Sequence, residues 1–171
     1  MTIDMAGVVG DSIVDGPGIR TVYFCQGCPH HCEGCQNAET WEFGKGTPTD
    51  TEFLADIARG NPLCRGVTFS GGEPFAQAEG FAELARKLKA EGYEVASYTG
   101  YTFEYLRDQG TAAQQRLLGL LDVLVDGPFL LERRSLDLVY RGSDNQRIID
   151  VPASLEAGEV VPAAPRWQGE Y

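Results

Sequence analysis

The sequence predicts an α/β fold with a mainly parallel sheet, and three observations carry that expectation. Four short apolar runs, Thr21–Phe24, Val67–Ser70, Glu94–Tyr98 and Val123–Asp126, have the length and the β-branched or aromatic content of buried strands. Longer stretches with apolar residues at helical spacing separate the last three, which calls for crossover connections and parallel pairing. Polar and glycine-rich motifs follow directly on the strands, where ligands collect in parallel sheets.

Taken in order, the first run is TVYF at Thr21–Phe24. Thr49-x-x-Glu52 then has the form of a capping box ahead of Phe53, Leu54 and Ile57, and Gly60 is positioned to end that helix. After the strand at Val67–Ser70, Phe81, Leu84, Ala85 and Leu88 share one helical face, with Gly92 as terminator. The strand at Glu94–Tyr98 is followed by two shorter helices, over Thr102–Gln109 and Ala113–Leu120, and these lead into Val123–Asp126. The polar turn Tyr140–Arg147 precedes a last apolar pair, Ile148 and Ile149, that reads as a final strand. Beyond Asp150 the periodicity fades, so residues 151–171 are expected to form a wrapping or loose tail. With 171 residues and no internal repeat, the expectation is one domain over 1–171 with its core in 14–150.

Composition narrows the class of function. Hydrophobic residues make up 43% and charged residues 23%, as in an ordinary globular protein that folds without a disulfide framework. The formal charge of -11 lacks the basic face that nucleic acid or an anionic membrane surface requires. The longest apolar stretch, Leu117–Val125, is too short to span a bilayer and contains Asp122. No basic segment followed by a long apolar run opens the chain, so a cytoplasmic location is expected. In a reducing compartment, five cysteines with four of them between Cys25 and Cys35 point to metal or redox chemistry.

Cys28-Pro29-His30-His31-Cys32-Glu33-Gly34-Cys35 puts three thiols into eight residues. Three thiolates from one loop suit a cubane iron–sulfur cluster whose fourth iron stays open, and an open iron is a Lewis acid that binds substrate directly. The same stretch also contains two CxxC pairs, Cys25/Cys28 and Cys32/Cys35, which is the pattern of a tetrathiolate zinc knuckle, with His30 or His31 as an imidazole alternative. Spacing alone leaves both readings open. Ser70-Gly71-Gly72-Glu73-Pro74 follows the second strand; two adjacent glycines let backbone approach a neighbour closely, and Glu73 adds an acceptor. Tyr98-Thr99-Gly100-Tyr101 and Asp126-Gly127-Pro128-Phe129 end the third and fourth strands. Each of these has an ordinary reading as a turn or helix cap. Cys64 reads as a buried small apolar residue without chemistry.

The stretch from Val14 to Trp41, with Asp15-Gly16-Pro17-Gly18, Arg20, Gly27-Cys28, the three-cysteine motif, Asn37 and Thr40-Trp41, resembles the start of the activating enzymes of glycyl radical enzymes, in the radical S-adenosylmethionine superfamily. Gly34 departs from most of that superfamily, which has a bulky residue there, and is similar to the class III (anaerobic) ribonucleotide reductase activating proteins. So are Thr99-Gly100-Tyr101 and Arg141-Gly142-Ser143-Asp144-Asn145-Gln146. The resemblance runs from about Val14 to Asp150. It implies a compact, incomplete β/α barrel open on one side, and a [4Fe–4S] cluster on Cys28, Cys32 and Cys35, with Cys25 outside the motif. It implies S-adenosyl-L-methionine bound by Gly71, Gly72 and Glu73, with Thr99, Gly100 and Asp126 beside the cofactor and Arg141 and Asn145 at cofactor or partner. The activity it implies is reductive cleavage of S-adenosylmethionine to a 5′-deoxyadenosyl radical that installs a glycyl radical on an anaerobic ribonucleotide reductase. An external one-electron donor such as flavodoxin or ferredoxin is then needed, and no nucleic acid or membrane. Activation of another glycyl radical enzyme, and a non-catalytic zinc or electron-transfer protein, are the competing expectations. Where some relatives have a lysine two residues after the acidic residue, this chain has Pro128.

Overall fold

The structure, a computed structural model, describes residues 1–35 and 37–169. Seven strands form one open sheet in the order β3-β1-β2-β4-β5-β6-β7. They are β1 (Thr2–Ser12), β2 (Arg20–Cys25), β3 (Thr47–Asp50), β4 (Gly66–Gly71), β5 (Glu94–Tyr98), β6 (Val123–Asp126) and β7 (Arg147–Asp150). The four central strands β2, β4, β5 and β6 are mutually parallel, and the flanking β3, β1 and β7 pair antiparallel. The fold is thus mixed α/β with a parallel centre, as expected. The two strands on the β2 side were not foreseen.

Helices α1 (Thr51–Arg59), α2 (Ala78–Ala90), α3 (Phe103–Gln109), α4 (Ala112–Leu120) and α5 (Val151–Ala157) bury their apolar residues in a single core with one face of the sheet. Strand residues alternate accordingly. Tyr23, Cys25, Val67, Phe69, Val95, Leu124 and Ile149 meet the helices, while Ala96, Val123, Val125 and Ile148 face the other way. That second face is covered by the C-terminal segment, where Trp167 is 1% exposed, packs with Ala163 and lies 5.0 Å beneath the Arg20 guanidinium. Arg20 is itself fully buried and donates to Thr68, Val67 O and Glu94. Among the described residues, no helix is long and apolar enough to cross a membrane.

One expectation needs correction, and another is resolved between its two alternatives. Asp50, not Thr49, caps α1, its side chain accepting from the Glu52 N–H. Thr49 is occupied as a strand residue opposite Ile3, and Glu52 reaches Arg59 and Lys87 instead of closing a capping box. The segment after Asp150 is wrapped and not loose. It begins with α5, capped by Asp150 and ended by Gly158 in the left-handed region, and its Trp167 seals the second core.

Candidate functional site

The parallel strands β2, β4, β5 and β6 all end at one rim, and a cavity of about 340 Å³ lies there. Its first wall is the cysteine loop that leaves β2. Gly27 turns the chain at φ 104° and donates to Thr40 O, and the Cys28 N–H donates to Trp41 O, so the loop closes on its own far end. Gln26 reinforces the closure by donating to Glu39 O and Glu42 O. Cys28, Cys32 and Cys35 are half-buried and line the cavity together. Burial pushes the Cys28 thiol up, while the backbone N–H groups of His30 and His31 point at its sulfur and pull the other way. The Asn37 N–H lies 3.4 Å from Cys35 Sγ. Such N–H contacts stabilise thiolate and tune a metal held by it. Cys25 is different. As the last helix-facing residue of β2 it is fully buried in the main core, and burial drives its thiol far above the usual range.

The opposite wall is the turn after β4. Gly71 has φ 93°, and a Cβ on Gly72 would sit 2.3 Å from Gly27 O, so the paired glycines let this turn lie directly against the cysteine strand. Backbone bonds from Gly72 N to Cys25 O and from Glu73 N to Gly27 O fasten the two walls. Glu73 is 1% exposed. Its carboxylate accepts from Phe75 N (3.0 Å), Gly100 N (2.7 Å) and Thr99 Oγ1 (2.9 and 3.0 Å), and its Oε1 lies 2.7 Å from His30 Nε2. A buried carboxylate with this many partners is held in a fixed orientation.

Of the residues singled out from the sequence, Cys28, Cys32, Cys35, Gly71, Gly72, Glu73, Thr99, Gly100 and Arg141 line this one cavity. Asp126 and Asn145 do not. Asp126 shares the parity of Leu124 and so faces the helices, where it accepts from Phe103 N and pairs with Arg147. Asn145 donates to Pro128 O and, with Asp126, lines a neighbouring cleft. The Arg141–Gln146 segment ties down the loop after β6: Gln146 Nε2 donates to Gly127 O, and Ser143 Oγ accepts from Leu130 N. Sequence reasoning missed His30 as a partner of Glu73, since a histidine between cysteines reads first as a ligand. It also missed Tyr98 and Gln146 as lining residues; their positions at a strand end and a turn were the available signal.

The donor set tests which metal centre fits. Among the described residues no three of His, Cys, Asp and Glu converge as one metal ion would require. A zinc knuckle needs four donors about 2.3 Å or less from one ion, and the fourth thiol, Cys25, faces the core instead. Three thiols lining one cavity wall are a donor set that a multi-iron cluster would take.

Comparison with known proteins agrees with that donor chemistry. A family model described as a 4Fe-4S single cluster domain matches residues 14–149. The anaerobic ribonucleoside-triphosphate reductase-activating protein of Vibrio cholerae is 37% identical over 144 residues, 80% of this chain and 90% of its own length. The Escherichia coli protein of that name is 34% identical over 142 residues, covering 78% and 90%. The Haemophilus influenzae one is 33% identical over 144 residues, covering 80% and 90%.

Proposed function

The chain belongs to the family of anaerobic ribonucleoside-triphosphate reductase-activating proteins, and from that premise we propose that it is a radical enzyme acting on such a reductase. It cleaves S-adenosylmethionine reductively and uses the resulting 5′-deoxyadenosyl radical to install a glycyl radical on the reductase. The observation that carries this reading is the meeting of Cys28, Cys32 and Cys35 with the Gly71–Glu73 turn across one cavity. A [4Fe–4S] cluster held by these cysteines would supply the electron for the cleavage.

The chain's own residues bind, orient and shield. Cys28, Cys32 and Cys35 hold the cluster. Gly71, Gly72 and Glu73 offer backbone and a fixed carboxylate to the substrate's ammonium, a charge-assisted contact. Because His30 Nε2 already sits on Glu73 Oε1, an ammonium arriving there shares or displaces it. Thr99 and Gly100 act through Glu73, holding its carboxylate from behind. Val14, 70% exposed, lies at the cavity, and Leu131 and Leu136 stand exposed on the loop after β6, which suits a protein substrate that closes the site itself. Helices on one sheet face only, with the C-terminal segment on the other, support an incomplete barrel open on one side. The electron comes from an external carrier of the flavodoxin or ferredoxin kind, and the reaction runs in the cytoplasm without nucleic acid or membrane.

The test is 5′-deoxyadenosine formation by anaerobically iron–sulfur-loaded protein given S-adenosylmethionine and dithionite, with the reductase added in a second arm. Product that disappears in Cys32→Ala is expected. Its absence from both arms, in protein shown to hold a reducible cluster, would overturn the reading.

A further inference from the structure

Residues 150–169 lie outside the 14–149 that the family model matches, yet their last turn, Pro165–Gln168, packs on the sheet face opposite the helices. Its Trp167 reaches beyond that second core. One edge of the indole lies against the backbone of Gly16, where a Cβ would come within 2.7 Å of Trp167 Cη2. The same ring meets the Tyr140 ring edge to face, with centroids 5.6 Å apart. Two residues on, a Cβ on Gly169 would lie 2.9 Å from Val139 Cγ2. One short turn thus touches two segments far apart in sequence: 13–19, between β1 and β2, and 127–146, between β6 and β7.

Both segments wall the cavity. Val14 and Asp15 come from the first, and Leu138, Tyr140 and Arg141 from the second. The residues that Trp167 touches are the bends themselves, Gly16 at φ 140° and Tyr140 at φ 60°. For a residue with a side chain, as Tyr140 is, such a conformation persists only where the surroundings hold it. The turn that holds it is anchored in its own right. Arg166 pairs with Glu94, which also holds the buried Arg20, and Gln168 Nε2 donates to Ile148 O. Trp167 Nε1 is buried without an acceptor among the described residues, so shape and not a hydrogen bond places the ring.

We propose that Trp167 is a positioning residue that pins these two bends, so that the C-terminal turn sets the width of the cavity's open side and with it the entry of the protein substrate. A side chain that only filled the second core would stabilise that sheet face evenly. One ring in contact with two bends fixes each relative to the other. The clamp stands on packing alone, and its consequence for a protein substrate rests on the radical-enzyme reading above.

Deuterium uptake by full-length, cluster-loaded protein, read without oxygen by peptide mass spectrometry, tests the clamp directly. Trp167→Ala is expected to speed exchange about tenfold over 13–19 and 136–142 together, beyond any change in β4 and β5. Trp167→Phe is expected to restore most of the protection, because no hydrogen bond is lost with the indole N–H. Equal acceleration along the whole chain, or a change in neither segment or in only one, would overturn the proposal. Should Trp167→Ala not fold, Arg166→Gln loosens the same turn from its exposed side and is expected to give about a threefold rise over both segments. A rise confined to the C-terminal residues would overturn the proposal there. The second readout is glycyl radical formation at varied reductase concentration. Trp167→Ala is expected to raise the KM for the reductase about tenfold and to change kcat less. An unchanged KM would overturn the role in substrate entry. Wild type that forms no radical would instead sink the proposed function, and the exchange experiment would still decide the clamp.

Discussion

Glu73 concentrates the demands on single residues at this site. Its carboxylate is buried and has partners from three segments, of which the Thr99 hydroxyl and the His30 imidazole are those that substitution can remove without touching backbone. Thr99→Val keeps the shape and deletes the hydroxyl, so it should lower stability by about 1.5–3 kcal/mol, the range for a hydrogen bond to a charged group. Chemical denaturation reads that loss, and a raised KM for S-adenosylmethionine should accompany it. The cysteines divide differently. Alanine at Cys28, Cys32 or Cys35 should abolish bound iron and sulfide. Cys25→Ala should keep both and cost roughly 1 kcal/mol for the lost core volume, so iron content and thermal melting together separate the roles. That Cys28, Cys32 and Cys35 share one cavity wall was legible in the sequence because a short loop advertises its thiols by spacing. The role of His30 was not, because its partner Glu73 is 43 residues away and only the sheet brings them together.

Among the elements, strands and helices with strong apolar patterns were legible and those built by pairing were not. The four parallel strands carry their own hydrophobic signal on both faces, and α2 shows its core face as Phe81, Leu84, Ala85 and Leu88. β3, Thr47–Asp50, has no apolar residue apart from Pro48, and exists because its backbone pairs with β1. α5 has only seven residues and is set by the Asp150 cap and Gly158. Caps are thus testable determinants. α4 has a complete capping box, Thr111 accepting from Gln114 N and Gln114 Oε1 accepting from Thr111 N. Thr111→Ala should cost about 1 kcal/mol by urea denaturation. Arg147→Met tests the link between β7, β6 and α3. It strands the buried Asp126 carboxylate, and the loss should be roughly 2 kcal/mol, below that of a fully buried pair because Arg147 is partly hydrated.

At the scale of the whole molecule, acid should unlock the C-terminal wrap. Burial pushes the Glu94 carboxyl up, but hydrogen bonds and charge from Arg166 and Arg20 outweigh it and hold its pKa below the usual carboxylate value. A depressed folded-state pKa means stability that is present above the unfolded pKa of about 4.3 and is lost as pH falls through the lower folded value. Urea midpoints measured downward from pH 6 should therefore fall below about pH 4.3 in wild type and fall less steeply in Glu94→Gln. The same segment brings Trp167 over Arg20, so its indole fluorescence should report the release. All of this scaffolding serves one cavity that gathers cysteines from the end of β2, Glu73 from the end of β4 and Arg141 from beyond β6. The most direct test of what that cavity does uses an anaerobic ribonucleotide reductase carrying α-deuterated glycine, mixed without oxygen with the cluster-loaded protein, S-adenosylmethionine and a reductant. The account predicts a glycyl radical signal by electron paramagnetic resonance and deuterium in the 5′-deoxyadenosine. Undeuterated product without a protein radical would contradict it.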